Sequence, residues 1–401
     1  MRAAAYFRST VLVASLVMVA IACSDVEDPG EAERDGSPIP DEDSGSGTVD
    51  SGPEVEASDA STEVVDAPVD APPPTCSDEG WCHTPIPDTE TLRDVWGDGS
   101  GVVWTVSTTG NVLYWDGAAW KQSYAAGTPL YAVWGSGPND LWVGGDGGLF
   151  HGTGATPAAM TWTAVPVGGA PIRSIWGRSA SDIWATGYSG STSKFTGYVL
   201  HYTGTPADGG TGWAPDPIAI TSPVRFTKVW GTARHDDVWI GGLVGTIDAR
   251  MLRGRPDGAG GYAWTLAPPT TTAGRYFNGA GNVTSNEQIV LGFDPTGTTT
   301  YGLHTGVRDD AGVFTWTRFD GFNTGNAVLN GVWGTGHDDV WVAGAYGRLR
   351  HWDGSAWHVA RTALDDVMPV VNTLYAIWGA SRDDIWVVGK GIALHKVPSQ
   401  H

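Results

Sequence analysis

The chain has 401 residues, of which 44 are Asp or Glu and 23 are Lys or Arg, and its formal net charge at pH 7 is −21. The acidity is concentrated in residues 24–75, which hold 16 acidic residues against one Arg and so contribute −15. Because residues 1–23 add +2, a charge of −8 remains on residues 76–401. This part has no basic patch or stripe, which argues against a nucleic acid as the ligand.

Residues 1–22 are predicted to be a signal peptide. Arg2 and Arg8 give it a positive start, and Val11–Ile21 forms an apolar run. That run is too short to cross a bilayer, which needs about 20 residues. We therefore expect the protein to be exported, and the simplest alternative is an ordinary signal peptide cleaved near Ala22.

The cysteine that follows is predicted to be lipidated. Ala20-Ile-Ala-Cys23 resembles a bacterial lipobox, although Ala20 stands where Leu is usual. The resemblance implies a lipid on Cys23 and attachment to a membrane through several acyl chains. Ser24 fits the outer-membrane sorting pattern, so we expect anchoring at the outer membrane, on its periplasmic or cell-surface side.

Residues 23–75 are predicted to be a disordered acidic linker. They contain no aromatic residue and are rich in Pro, Ser, Gly and Ala, so they have no material for a core. Two cysteines follow the linker, Cys76 and Cys82, and in an exported protein such a pair predicts a disulfide. A metal site of both cysteines with His83 is the alternative, but a structural zinc needs a fourth ligand.

Residues 76–401 repeat a unit of roughly 40–50 residues, a period typical of propellers and solenoids. The unit contains Val-Trp-Gly, then Asp-x-Trp, then a hydrophobic triplet ending in His, then another Trp. Its first Trp recurs at Trp96, Trp134, Trp176, Trp230, Trp333 and Trp378. The long gap after Trp230 holds a degenerate unit, with Ala280 in the first Trp position and Ile289 in the second.

We therefore predict an all-β fold, a seven-bladed β-propeller of four-stranded blades over residues 76–401. The seventh unit lacks a fourth strand, whereas Trp81-Cys-His-Thr-Pro85 matches the fourth strand of other units. Residues 81–85 are accordingly expected to pair with the last unit and close the ring, which would otherwise expose a strand edge.

The recurring His and Asp residues are predicted to be structural. One set ends the third strand of a unit, and the other precedes the second Trp by two residues. The His set is His151, His201, His304, His351 and His395, and the Asp set is Asp140, Asp182, Asp237, Asp339 and Asp384. Equivalent positions in different blades are held apart, so the His residues cannot converge on one ion. We expect no metal and no cofactor.

The repeat resembles the BNR or Asp-box-like repeats of bacterial surface propellers and is similar to propellers of the photosystem II stability and assembly factor family. The resemblance covers residues 81–397 and implies a propeller. Sialidases share the BNR label, but their Tyr–Glu pair has no counterpart, since only Glu79, Glu90 and Glu287 follow residue 75 and none adjoins a Tyr. The strict Asp box is also absent.

Function is expected where the regular scaffold is interrupted and at the channel mouth, which the first strands line. The candidate ligand-binding residues are Tyr188, Lys194, Phe195, Arg173, Lys228 and Arg275. We predict a monomeric binding or assembly module for a protein or glycan. The alternatives are a glycoside hydrolase or lyase of the BNR-repeat type, and a pilus-associated adhesin.

Overall fold

The computed structural model describes residues 75–86, 90–204, 209–245, 248–267, 276–284, 286–293, 301–319, 328–364 and 369–397. Four predictions concern residues outside these ranges: the signal peptide, the lipidation of Cys23, most of the linker, and a ligand contact at Arg275. Within the described residues, no helix is long and apolar enough to cross a membrane.

The described strands form seven four-stranded antiparallel sheets, and the all-β propeller with four-stranded blades is confirmed. Six blades each consist of four consecutive strands. The first three are blade 1, with β2 (Leu92–Gly97), β3 (Val103–Ser107), β4 (Asn111–Trp115) and β5 (Trp120–Ala125); blade 2, with β6 (Leu130–Gly137), β7 (Asp140–Gly145), β8 (Gly148–Gly154) and β9 (Met160–Val165); and blade 3, with β10 (Ser174–Ser179), β11 (Asp182–Gly190), β12 (Phe195–Tyr202) and β13 (Trp213–Pro215).

The next three have the same strand order. They are blade 4, with β14 (Arg225–Gly231), β15 (Val238–Val244), β16 (Asp248–Pro256) and β17 (Tyr262–Leu266); blade 5, with β18 (Tyr276–Thr284), β19 (Glu287–Phe293), β20 (Tyr301–Arg308) and β21 (Phe314–Phe319); and blade 6, with β22 (Leu329–Gly336), β23 (Asp339–Gly344), β24 (Leu349–Trp352) and β25 (Trp357–Val359). A short α-helix, α1 (Ile218–Thr221), and a 3-10 turn at Pro157–Ala159 are the helical segments of the described chain.

The last sheet joins the two ends of the described chain. Its strands are β26 (Leu374–Ser381), β27 (Asp384–Gly389), β28 (Ile392–Lys396) and, on the outer edge, β1 (Trp81–His83). Trp81 pairs with Lys396 and His83 with Leu394. The prediction of a closing strand over residues 81–85 was wrong in its extent: the strand ends at His83, and Pro85 has no N–H with which to extend the ladder.

The first strand of each sheet lies innermost and contacts its counterpart in the next blade, and β26 contacts β2. Close approach depends on the Gly of the Val-Trp-Gly motif. A Cβ on Gly97 would lie 2.6 Å from the indole of Trp378 in the preceding blade. The same relation joins Gly135 to Trp96, Gly177 to Trp134, Gly231 to Trp176 and Gly379 to Trp333. The motif therefore interlocks neighbouring blades, and the apolar clusters lie mainly between them.

The degenerate unit forms blade 5, with one correction to the predicted alignment. In the other blades the two Trp of a unit face each other across the first two strands, as Trp134 and Trp142 do. In blade 5, Ala280 faces Val290, so Ile289 does not occupy the second Trp position. Compared with the other blades, β19 has one extra residue after Glu287, and the register between β18 and β19 breaks near Asn282. The residue that faces Ala280 is therefore one place later in β19 than the alignment predicted.

The recurring Asp and His residues, both predicted to be structural, contact each other within a blade. His351 Nε2 lies 2.7 Å from Asp339 Oδ1, and its ring stacks on Trp341 at 4.2 Å. His151, His201 and His395 are placed in the same way on Asp140, Asp182 and Asp384. Each His therefore has its partner within its own blade. No group of three or more His, Cys, Asp or Glu among the described residues could hold a metal ion.

Candidate functional site

The candidate site is a cavity of about 390 Å³ at one end of the channel between the first strands. Much of its rim comes from one repeat position, three residues before the first Trp of each unit. Equivalent positions lie at equal depth in a propeller, so side chains at this position form a ring. The rim residues of this ring are Arg93, Tyr131, Arg173, Thr227, Asn330 and Tyr375.

Arginine and tyrosine side chains alternate across five adjacent sheets at this end of the channel. The guanidinium carbon of Arg93 lies 3.9 Å from the ring centroid of Tyr375 and 5.7 Å from that of Tyr131. Arg173 continues the series, 4.3 Å from Tyr131 and 5.3 Å from Tyr188. The guanidinium carbon of Arg225 lies 5.5 Å from the ring centroid of Tyr188. We call this series, Tyr375-Arg93-Tyr131-Arg173-Tyr188-Arg225, the Arg–Tyr ladder. Aromatic rings hold the guanidinium planes by cation–π attraction.

The arginines of the ladder differ in how far they are neutralised. Arg173 Nη2 pairs with Asp146 Oδ1 at 2.8 Å, and the Tyr131 hydroxyl donates to the other oxygen of Asp146 at 3.1 Å. Burial, and secondly the charge of Asp146, raises the pKa of Tyr131. Arg225 donates to the carbonyl of Gly245. Arg93 has no ion pair or hydrogen bond to a described residue, so its charge is available to a ligand.

One carboxylate and one ammonium group lie a position further along the same strands. Asp94 accepts hydrogen bonds from the N–H of Val95 at 3.1 Å and of Val133, in the next blade, at 3.0 Å. Burial raises the pKa of Asp94, although Lys228 and both hydrogen bonds oppose the rise. Lys228 lines the same cavity and makes no ion pair or hydrogen bond with the described part of the chain.

The structure brings three of the six candidate residues to this cavity, Arg173, Tyr188 and Lys228. Lys194 is exposed at the β11–β12 turn and Phe195 is half-buried at the start of β12; neither lines the cavity. The interruption of the repeat at these residues is mostly a longer hairpin, with β11 reaching Gly190 and β12 starting at Phe195.

Sequence reasoning missed Tyr131, Tyr375 and Arg225. The first two could have been found, because they occupy the same place before the first Trp as Arg93 and Arg173. Arg225 lies five residues before Trp230, and its contact with Tyr188 depends on the length of β11. No sequence signal marks that contact.

A second group of arginines lies between blades 4 and 5 and is closed to a ligand. Asp237, which is 9% exposed, pairs with Arg253 at 2.6 Å, with Arg255 at 3.0 Å and more loosely with Arg308 at 3.8 Å. Arg253 also lies 4.7 Å from the ring of Phe314. The three arginines therefore enclose a carboxylate of the protein itself, and this group differs from the open ladder.

The chain matches no protein-family model and no curated protein. It is similar in structure to YCF48 bound to D1 peptide, with 16% identity and a TM-score of 0.58 over 82% of this chain and 100% of that one. It is also similar to virginiamycin B lyase from Staphylococcus aureus with quinupristin, with 12% identity and a TM-score of 0.56 over 79% and 99% of the two chains.

A third similar structure is the extracellular domain of a one-component system from B. thetaiotaomicron. Its identity is 13% and its TM-score 0.59, over 80% of this chain and 41% of that one. At these identities the similarities show the fold alone. YCF48 is a photosystem II assembly factor, so the fold agrees with the predicted resemblance to that family, whereas BNR repeats are not shown.

Proposed function

We propose that this protein is an exported, lipid-anchored β-propeller that binds an acidic segment of a partner protein at its channel mouth. The observation that carries the proposal is the Arg–Tyr ladder around a cavity of about 390 Å³. The cavity brings together Arg93, Arg173 and Lys228 with the lining carboxylate Asp94, and Asp146 pairs with Arg173 beside it. A positive mouth on a domain of net negative charge is a local feature, and local charge of one sign attracts a ligand of the other.

The ladder suits carboxylates for a geometric reason. A guanidinium group whose faces lie on aromatic rings keeps its N–H edges free to form two parallel hydrogen bonds with a carboxylate. The rings of Tyr131 and Tyr375 hold Arg93 in place before the ligand arrives, which reduces the entropy lost on binding. The tyrosine rings also supply apolar contact area for the neighbouring side chains of the ligand.

Two further points support the proposal. A similar structure is that of YCF48 bound to D1 peptide, so this architecture can bind a peptide. The Cys23 lipobox and the acidic linker of the sequence would tether such a module to the outer membrane. Replacing Cys23 with Ala should release the protein from the membrane fraction, and a variant that still sediments with membranes would contradict the anchor.

The binding proposal is tested with labelled peptides and the mature chain. A decapeptide rich in Asp and Glu should bind, whereas its Asn and Gln counterpart should not. Arg93→Gln and Arg173→Gln should each weaken binding about tenfold or more, because a hydrogen bond to a charged group contributes roughly 1.5–3 kcal/mol. The control is Arg382→Gln, which removes a charge from an exposed arginine paired with Asp338 at the other end of the strands. Equal binding of both peptides, or equal losses in all three variants, would contradict the proposal.

A second candidate function is a lyase or glycoside hydrolase. Its supporting observation is Asp94, a buried carboxyl group of raised pKa in the same cavity as the cationic Lys228. Such a group can act as a general acid. Turnover of a polysaccharide or cyclic peptide by the wild type, lost in Asp94→Asn, would favour this function. Binding to a glycan array without turnover would instead favour the adhesin.

A further inference from the structure

A second cationic site lies in a groove between blade 6 and the last sheet, away from the channel. The groove has a volume of about 540 Å³. Blade 6 contributes Arg348, Arg350, Val359 and Arg361, and the segment before β1 contributes Ser77 and Asp78. Three arginines therefore line one groove, and the described part of the chain pairs only one of them with a carboxylate.

Strand alternation explains why these arginines face the same groove. Successive side chains of a strand point to opposite faces, so residues two apart share a face. Leu349 is buried at 1% exposure in the core between blade 6 and the last sheet, and it separates Arg348 from Arg350. On the neighbouring strand, Val359 pairs with Arg350. Arg361 lies two residues beyond the end of β25 and also lines the groove.

Among the described residues, no carboxylate forms an ion pair with Arg348 or Arg350. Arg348 Nη1 and Arg350 Nε are buried and have no hydrogen-bond partner. Burial, and secondly the charge of Arg348, lowers the pKa of Arg350, so both disfavour the charged form of Arg350. Asp78 lines the groove but forms no ion pair with either arginine in the described structure. Arg361 differs, because Glu79 accepts a hydrogen bond from its backbone N–H at 2.9 Å and lies 4.0 Å from its Nε.

Two adjacent, partly buried like charges are costly to a folded protein, and an uncompensated polar group in a protein interior calls for an explanation. We infer that this groove is an anion site for a phosphate or sulfate group, held between the guanidinium groups of Arg348 and Arg350. A tetrahedral dianion matches two positive charges and offers enough oxygens for both guanidinium forks. Val359, which is 63% exposed beside the arginines, can contact the organic part of a phosphate or sulfate ester.

The experiment is calorimetric titration of the mature full-length chain with inorganic phosphate and, separately, inorganic sulfate, at constant ionic strength. Acetate is the monovalent carboxylate control. We expect the dianions to bind and acetate to bind at least about tenfold more weakly. Arg348→Gln and Arg350→Gln should each reduce dianion affinity about tenfold or more. Arg361→Gln, a matched substitution of an 83% exposed side chain, should change it less than threefold or so. The relative affinities for phosphate and sulfate assign the physiological group.

Melting temperature distinguishes this site from a structural arginine pair. Without a dianion, Arg350→Gln should melt at or above the wild type, because it removes like-charge repulsion at a buried site. With dianion present, the wild type should gain stability by mass action and the variant should not. Arg93→Gln, at the channel mouth, should leave the dianion gain intact, which separates this inference from the proposed function. Three results would overturn the inference. The first is a lower stability of Arg350→Gln than of the wild type without dianion, and the second is an undiminished dianion affinity in both groove variants. The third is the absence of binding to the wild type at millimolar dianion.

Discussion

A ring carbon of Trp96 lies 2.7 Å from the position that a Cβ would occupy on Gly135. These residues belong to neighbouring blades, and the contact recurs with other Trp–Gly pairs around the ring. At five of the contacts between neighbouring sheets, the Trp of one Trp-Gly dipeptide therefore extends into the space left by the Gly of the next. This explains why the motif repeats as a unit.

Gly135→Ala should therefore destabilise the propeller. The added methyl group would overlap Trp96 and also the side chain of Leu141, which lies 2.5 Å from the same Cβ position. Overpacking of this kind costs about 1–3 kcal/mol in the free energy of unfolding. The matched control is Gly137→Ala on the same strand, where a Cβ meets no atom within 4 Å. Denaturant unfolding of both variants checks the prediction, and equal stabilities would contradict it.

The fold could be predicted because its repeat consists of residues with strong local conformational preferences. Tryptophan, valine and glycine at fixed spacing determined the blades, and the surplus Trp81 with the incomplete last unit located the closing strand near its observed place. Blade 5 was less predictable: without its Trp pair, only hydrogen-bond register shows that Ala280 faces Val290. The pairing of His with Asp was also missed, because two residues 11 to 19 apart meet only once the strands are in register.

The site was predicted in part. Arg173 and Lys228 belong to the strand that lines the channel in any propeller, so their place follows from the repeat. Lys194 and Phe195 were chosen because they interrupt the repeat, but an extended hairpin carries them away from the mouth. The arginine pair in the outer groove had no signal in the sequence, because only the fold brings Arg348 and Arg350 into one groove.

Trp81→Ala should be strongly destabilising. The Trp81 side chain is fully buried and packs edge-on against Trp341 of blade 6 at 5.4 Å, so it contributes to the contact between the last blade and its neighbour. Loss of a buried aromatic side chain costs about 3–5 kcal/mol. Trp357→Ala is the control, because this residue begins the equivalent outer strand of blade 6 but is only half-buried. A loss for Trp81→Ala no larger than for Trp357→Ala would contradict the importance of the closing strand.

The bond between Cys76 and Cys82 should stabilise the start of the closing strand. The two residues are six apart and close a small loop, whose entropy in the unfolded chain corresponds to about 2 kcal/mol. We expect the Cys76→Ser/Cys82→Ser variant to lose roughly that much stability, and reductant to lower the wild type to the same value. Thiol titration of the unreduced, denatured mature protein should detect neither cysteine; two free thiols would contradict the bond.

Asp237→Asn should destabilise the contact between blades 4 and 5. The carboxylate compensates Arg253, whose side chain is 12% exposed, and removing one partner of a buried ion pair costs about 3–5 kcal/mol. Arg255→Gln is the milder control, because that side chain is 49% exposed and the carboxylate keeps Arg253. Urea unfolding at neutral pH measures both losses. A larger loss for Arg255→Gln than for Asp237→Asn would show that Asp237 is not the centre of the cluster.

His395 should make the stability of the propeller depend on pH. Burial lowers the pKa of its imidazole, although the hydrogen bond to Asp384, 2.9 Å long, opposes the shift. Because the folded pKa lies below the unfolded value of about 6.5, the unfolded chain binds the proton more tightly. The stabilising contribution is therefore complete above about pH 6.5 and is lost as pH falls from that value through the folded pKa.

Replacing His395 with Gln should flatten this part of the profile. Unfolding free energies measured from about pH 7.5 to about pH 5 should fall less steeply in His395→Gln than in the wild type. His358→Gln is the control, because it removes a His side chain that is 58% exposed on β25. The ring of His395 stacks on Trp386 at 3.9 Å, so its protonation can also be followed through tryptophan fluorescence. If NMR titration places the pKa of His395 above that of the unfolded chain, the sign of the predicted slope is wrong.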